Sequence, residues 1–220
     1  MSRCRAVLFD LDGTLIDSAP DLAGAANDLR ATFGLPALPH DQLRPMVGAG
    51  ARGMVGAAFG VAPADARFGE LRDAFLARYA QRLLEQTHVF ADISPVLRAL
   101  AEAGLPWGIV TNKAMRYAEP VITGLGLHKR AAVVIAGDST PHAKPHPEPL
   151  REAARRLGVD AADCVYVGDD QRDIVAGRAA GMATLAAAWG YLGQGEPIEA
   201  WGADHILQLP AELLIWLELA

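Results

Sequence analysis

AVLFDLDGTLID, residues 6–17, decides how this chain is read. It opens with four apolar residues, Ala6 to Phe9, a run bounded by polar groups and too short for a helix; such a run reads as a buried strand. The strand then ends on Asp10 and Asp12, with Gly13 and Thr14 after them. Gly13 gives the backbone freedom to bend just where the second carboxylate emerges. An apolar strand driven inward and finished with two acids is a pattern for placing charge at the edge of a sheet.

Three further runs repeat that grammar: PWGIVTN (106–112), AAVVIAGD (131–138) and CVYVGDD (164–170). Helical segments lie between and after them. SPVLRALAEAG (94–104) carries Ser94 as a candidate N-cap, Pro95 at the first helical position and Gly104 as terminator. PEPLREAARRLG (147–158) stops on Gly158, and RDIVAGRAAG (172–181) gives a third. Strand and helix in alternation predict an α/β fold, a doubly wound, Rossmann-like parallel sheet with helices on both faces. Residues 16–85 break the alternation. Segments 21–33, 41–47, 52–59 and 68–84 all read as helix, so an inserted helical cap is expected there, with 1–15 and 86–220 forming the core. The tail AELLIWLELA (211–220) reads as a short amphipathic helix packed on that core.

Composition narrows the function classes. Hydrophobic residues make up 51% and charged residues 21%, which argues against disorder. A net charge of -6 without a basic run argues against a nucleic-acid surface. Cys4 and Cys164 build no disulfide framework and read as small buried residues. No secretory leader and no run of ~18 apolar residues is present, so a cytoplasmic protein with no membrane partner is expected, as a monomer or homodimer.

In an open α/β sheet the ligand crevice lies beyond the carboxyl ends of the strands. Those ends supply Asp10 and Asp12, Thr111 and Asn112, Asp138, then Asp169, Asp170 and Asp173, with Lys144 in HAKPHPEP. Carboxylates converging there would repel unless a cation neutralised them. An all-oxygen set without Cys or His suits Mg²⁺, which commonly works on phosphates. Asp138 reads as a turn residue. Asp170 reads equally as an exposed neighbour of Asp169 or as a water-mediated metal contact. His142 and His146 flank Lys144 among prolines and read as loop residues. GAGARG (48–53) matches a dinucleotide fingerprint in pattern, but no buried strand precedes it; it reads as a cap turn leading into a helix, with Arg44 and Arg52 as candidate specificity residues.

DLDGT (10–14), TN (111–112) followed by Lys113, KPHPEP (144–149) and GDDQRD (168–173) together resemble the four ordered motifs of the haloacid dehalogenase superfamily, over nearly the whole chain. The resemblance implies a Mg²⁺-dependent phosphomonoester hydrolase acting on a small phosphorylated metabolite. Asp10 would be the nucleophile that becomes an aspartyl phosphate, and Asp12 the general acid and then base. Thr111, Asn112, Gly13 and Arg52 would contact substrate. Lys144 would neutralise phosphate and nucleophile. Asp10, Asp169 and the Asp12 carbonyl would hold the metal, with Asp173 orienting a metal water or Lys144. LFDLDGTLIDSAPDLAGAAN with VGAGAR resembles the phosphoglycolate phosphatases. WGIVTNKAMRYAEP, VGDDQRDIVAGRAAGM, WGY and WGAD are similar to the bacterial N-acetylmuramic acid 6-phosphate phosphatases. HVFAD (88–92) departs from the Pro-Gly turn usual in the family. A phosphomutase and a non-catalytic phospho-ligand binder are the alternatives, and linkers near 16–20 and 85–92 are the expected hinge of the cap.

Overall fold

The computed structural model describes residues 4–219; residues 1–3 and 220, the outer ends of the expected core and tail helix, lie outside them. The chain begins with β1 (Ala6–Phe9) and β2 (Ile16–Asp17), then α1 (Ala19–Thr32), α2 (His40–Leu43), a 3-10 turn over Arg44–Ala49, α3 (Gly50–Phe59) and α4 (Phe68–Gln81). There follow β3 (His88–Val89), α5 (Ile93–Glu102), β4 (Trp107–Val110), α6 (Met115–Gly124) and β5 (Val133–Ile135). The remainder is α7 (Glu148–Leu157), β6 (Cys164–Gly168), α8 (Gln171–Ala180), β7 (Ala183–Ala187), β8 (His205–Leu207) and α9 (Glu212–Trp216).

Among the described residues, β5–β4–β1–β6–β7–β8 form one parallel sheet in that spatial order. The chain builds outward from β1 in one direction, then returns to lay β6 on its other side. Strand order therefore reverses between β1 and β6, the place where doubly wound sheets open a ligand crevice. Side chains of β1 alternate as a pleated strand requires. Val7 and Phe9 enter one apolar cluster with Leu97, Trp107 and Ile122. Ala6 and Leu8 enter another, on the opposite face, with Leu150, Tyr166 and Ala176.

Several helix boundaries differ from expectation. Helix α5 starts at Ile93 with Asp92 in the capping position, one residue before Ser94 can serve as cap. The helix expected at 41–47 divides at Pro45, which cannot donate to the ladder; α2 gives way there to the 3-10 turn. The helix expected at 68–84 ends at Gln81. Gly158 closes α7 in the left-handed conformation, at φ 67°.

Helices α1 to α4 bury a cluster of their own, including Leu22, Leu29, Met54, Phe75 and Tyr79, which Tyr191 joins from the far side of the chain. The segments entering and leaving these helices pair as an antiparallel ribbon, β2 against β3, with Ile16 opposite Val89. No helix of the described residues is long and apolar enough to cross a membrane.

Candidate active site

Strands β1 and β6 run in register, Phe9 beside Val167, and the Asp10 N–H donates to the Val167 carbonyl at 2.9 Å. Asp10 and Asp169, each just past its strand, therefore emerge together at the reversal point. Asp169 is buried and doubly held: Thr14 Oγ1 donates to Oδ1 at 2.8 Å and the Tyr191 N–H donates to Oδ2 at 2.8 Å. Gly13, read above as a substrate contact, makes room for Asp169. Its φ is +86° and a Cβ there would lie 2.2 Å from Asp169 Oδ2, while its N–H closes the turn onto Ile16.

Lys144 reaches in from the loop before α7. Its Nζ lies 2.9 Å from Asp10 Oδ1 and 2.7 Å from Asp173 Oδ1. It also donates to the Val110 carbonyl at 2.9 Å and to Tyr166 Oη at 2.7 Å. Burial opposes its charge, but the Asp10 and Asp173 carboxylates outweigh that and hold the ammonium above its ordinary range. Burial, followed by repulsion from Asp10 and Asp173, raises Asp169 well above the carboxylate range. Asp173 is pushed up to about 7, chiefly by burial, with Lys144 pulling the other way.

One oxygen from each of Asp10, Asp169 and Asp173 lies within 4.8 Å of the others. Asp10 Oδ1 is buried and accepts no hydrogen bond, since Lys144 Nζ is close to it but poorly aligned. Lys144 touches two of these three carboxylates, Asp10 and Asp173, and leaves the cluster with an excess of acids that a single divalent cation would cancel. The orphaned oxygen and the all-oxygen donors fit a hard cation such as Mg²⁺.

Asp12 turns to the other side. Lys113 Nζ donates to both of its carboxylate oxygens at 2.9 Å, and Ser18 Oγ donates to Oδ1 at 2.5 Å. Lys113 also lies 4.9 Å from the centre of the Tyr79 ring on α4. Burial, the largest influence on Lys113, works against its charge, yet Asp12 and Tyr79 together raise it above the usual lysine range.

Thr111 is buried, its Oγ1 accepting the Lys113 N–H at 3.1 Å. The Asn112 carboxamide is engaged elsewhere, exchanging two 2.9 Å bonds with the backbone of Lys144 and so fixing that loop. Asp170 is an ion-paired helix cap. It accepts the Arg172 N–H at 2.9 Å, shares a reciprocal capping box with Asp173 on α8, and pairs with the Arg172 guanidinium at 2.7 Å. Arg172 in turn donates to the Gly48 carbonyl of the GAGARG turn. Asp138 receives the Met115 N–H at the start of α6. Arg44 pairs with Asp17 at 2.7 Å and stacks 4.9 Å from the centre of the Tyr191 ring. Arg52 sits exposed on the first turn of α3, outside the hydrogen bonds and ion pairs described for the carboxylate cluster.

Thr14, Ser18, Tyr166 and Tyr191 complete the site without having been singled out from sequence. Tyr166 looked like one more apolar strand residue, although a tyrosine buried in β6 needs a partner for its hydroxyl. It finds Val110 at 2.8 Å and Asp173 at 3.2 Å.

The family model described as haloacid dehalogenase-like hydrolase matches residues 7–187. A phosphoglycolate phosphatase of Xanthomonas campestris pv. campestris (strain 8004) is 49% identical over 95% of this chain and 94% of its own. An N-acetylmuramic acid 6-phosphate phosphatase of Pseudomonas aeruginosa is 42% identical over 96% and 94%. Among solved structures, a predicted phosphoglycolate phosphatase from Haemophilus somnus 129PT superposes with a TM-score of 0.86 at 28% identity, over 98% of this chain and 99% of that one.

Proposed function

Because the chain belongs to the haloacid dehalogenase-like hydrolases, we propose that it is a phosphatase of small phosphomonoesters, with 2-phosphoglycolate as the leading substrate. The observation that carries this reading is the meeting of Asp10, Asp169 and Asp173 around Lys144. Asp10 attacks phosphorus and becomes an aspartyl phosphate, while Asp12 gives a proton to the departing substrate oxygen. Asp12 then takes a proton from water, which attacks the aspartyl phosphate, releases inorganic phosphate and restores Asp10. The Thr111 hydroxyl and neighbouring N–H groups bind the phosphoryl oxygens. Lys144 balances charge on the phosphoryl group and on Asp10. Mg²⁺, held by Asp10, Asp169 and the Asp12 carbonyl with Asp173 alongside, would supply the remaining positive charge as the phosphoryl group transfers.

Residues 16–85 act as a cap and the β2–β3 ribbon as its hinge, so that closure excludes bulk water. Lys113, paired with Asp12, and Arg44, paired with Asp17, are the two cations offered to a carboxylate on the leaving group. The 49% identical relative favours 2-phosphoglycolate; the 42% identical one keeps N-acetylmuramic acid 6-phosphate, also a carboxylic acid, as the second reading. Phosphate release from a panel of phosphorylated metabolites, with and without Mg²⁺, is the test. Metal-dependent release that is highest on one of these acids and abolished in Asp10→Asn is expected. Full turnover in Asp10→Asn refutes the reading, and isomerised sugar phosphate without free phosphate redirects it to a phosphomutase.

A further inference from the structure

We infer that Tyr191 is the positioning residue of Asp12, acting through Ser18 at the start of α1; the inference rests on the role proposed above for Asp12. A helix start leaves its first N–H groups without partners, and a serine in the capping position ordinarily satisfies one with its own hydroxyl. Ser18 occupies that position but makes no such bond. Its hydroxyl goes to Asp12 Oδ1 instead.

The helix is capped from elsewhere. Tyr191 Oη accepts the N–H of Ser18 at 2.8 Å and that of Ala19 at 3.1 Å, while Pro20 has no N–H to satisfy. The phenol passes its own proton to Asp17 Oδ1 at 3.1 Å. Its ring is buried in the cluster formed by α1 to α4, 4.9 Å from the Arg44 guanidinium carbon. The phenol from the loop after β7, together with Asp17 Oδ1, which also accepts the Ala19 N–H at 3.1 Å, thus holds the first N–H groups of α1, and Ser18 Oγ points at the acid/base carboxylate. The phenolic oxygen also lies 3.4 Å from Ser18 Oγ; without it, the serine hydroxyl is free to turn back onto the Asp21 N–H of its own helix, away from Asp12.

Tyr191 holds Asp169 through its main-chain N–H, a bond that Tyr191→Phe keeps along with the ring. The variant therefore leaves the Asp169 side untouched and removes only the phenolic contacts to Ser18, Ala19 and Asp17. The diagnostic is leaving-group dependence in kcat/KM, which covers the step in which the ester oxygen departs. The alkoxide of 2-phosphoglycolate needs a proton as it leaves; 4-nitrophenolate does not. Tyr191→Phe should lower kcat/KM by about ten- to a hundredfold both on 2-phosphoglycolate and on ethyl phosphate, whose alkoxide needs the same proton but carries no carboxylate for Arg44 to read, and should leave 4-nitrophenyl phosphate nearly unchanged. Ser18→Ala should reproduce the split, and the double variant should be no worse than the weaker single one, because both remove one chain of contacts. Equal losses on alkyl and aryl esters, a loss confined to 2-phosphoglycolate, no loss on any of the three, or fully additive losses overturn the inference. Asp12→Asn separates it from the underlying reading. If that variant shows no split, Asp12 is not the acid and the inference falls with it; if it does while Tyr191→Phe does not, only Tyr191 is misassigned.

Discussion

Replacing Lys144 by methionine keeps most of the side-chain volume and deletes the ammonium from the centre of the carboxylate cluster. Nζ stands 2.9 and 2.7 Å from Asp10 and Asp173 in a fully enclosed setting. Breaking a buried ion pair by removing one partner costs about 3–5 kcal/mol, because the other charge remains buried and unpaired. For a chain of this size each kcal/mol moves the melting temperature by about 2–4 °C, so the metal-free variant should melt roughly 6–20 °C below the parent. Proton uptake sets the low end of that range. Asp173, pushed up to about 7, and Asp169, raised well above the carboxylate range, can neutralise themselves in mildly acidic buffer. Calorimetric unfolding in chelator at pH 6 and pH 8 should therefore show the larger gap at pH 8. Phosphate release should fall by at least about 10²–10³, the loss typical of removing one preorganised donor from a transferring group. An unchanged melting temperature in chelator at pH 8, with turnover near that of the parent, would refute the reasoning.

Two other outcomes follow from the same cluster. In metal-free protein, Asp173 and Asp169 hold protons that the unfolded chain releases near its ordinary carboxylate pKa of 3.8, so stability should fall as pH rises from about 4 to about 7. Mg²⁺ should reverse that slope, and melting curves across the interval with and without the metal check it; a flat metal-free profile counts against buried, uncompensated acids. Gly13→Ala should cost about 1–3 kcal/mol from the left-handed backbone alone and should also push Asp169 aside, since the added carbon lies 2.2 Å from Oδ2. The expected result is a lower melting temperature together with loss of the Mg²⁺-induced stabilisation, and retention of that stabilisation argues that Asp169 is not where the metal sits.

Much of the site was legible because each chemical group sits at the end of an apolar run or inside a short contiguous motif. Alternation placed Asp10, Asp169 and Asp173 at one sheet edge, the motif resemblance added Lys144 from its loop, and the structure brings those four together. Strands β7 and β8 were not recognised: ATLAA is alanine-rich and carries little β-propensity, and HIL is three residues long. Partnerships between residues far apart were equally hidden. Asn112 looked like a phosphate contact by its place beside Thr111, but its amide faces the backbone of Lys144, 32 residues away. Arg52 was singled out from a glycine-rich turn whose periodicity does not say which side of α3 faces the core. Tyr191 lay in a WGY triplet of no evident chemistry; only the fold reveals that its phenol meets the start of α1 across 173 residues of chain.

The most direct measurement is to quench the enzyme in acid during turnover with Mg²⁺ and 2-phosphoglycolate, then map the modified peptide by mass spectrometry. A phosphoryl group on the peptide bearing Asp10, absent from Asp10→Asn and from samples without Mg²⁺, is the predicted result. Turnover with the phosphoryl group on a different residue, or with none trapped at any time point, would contradict the account at its centre.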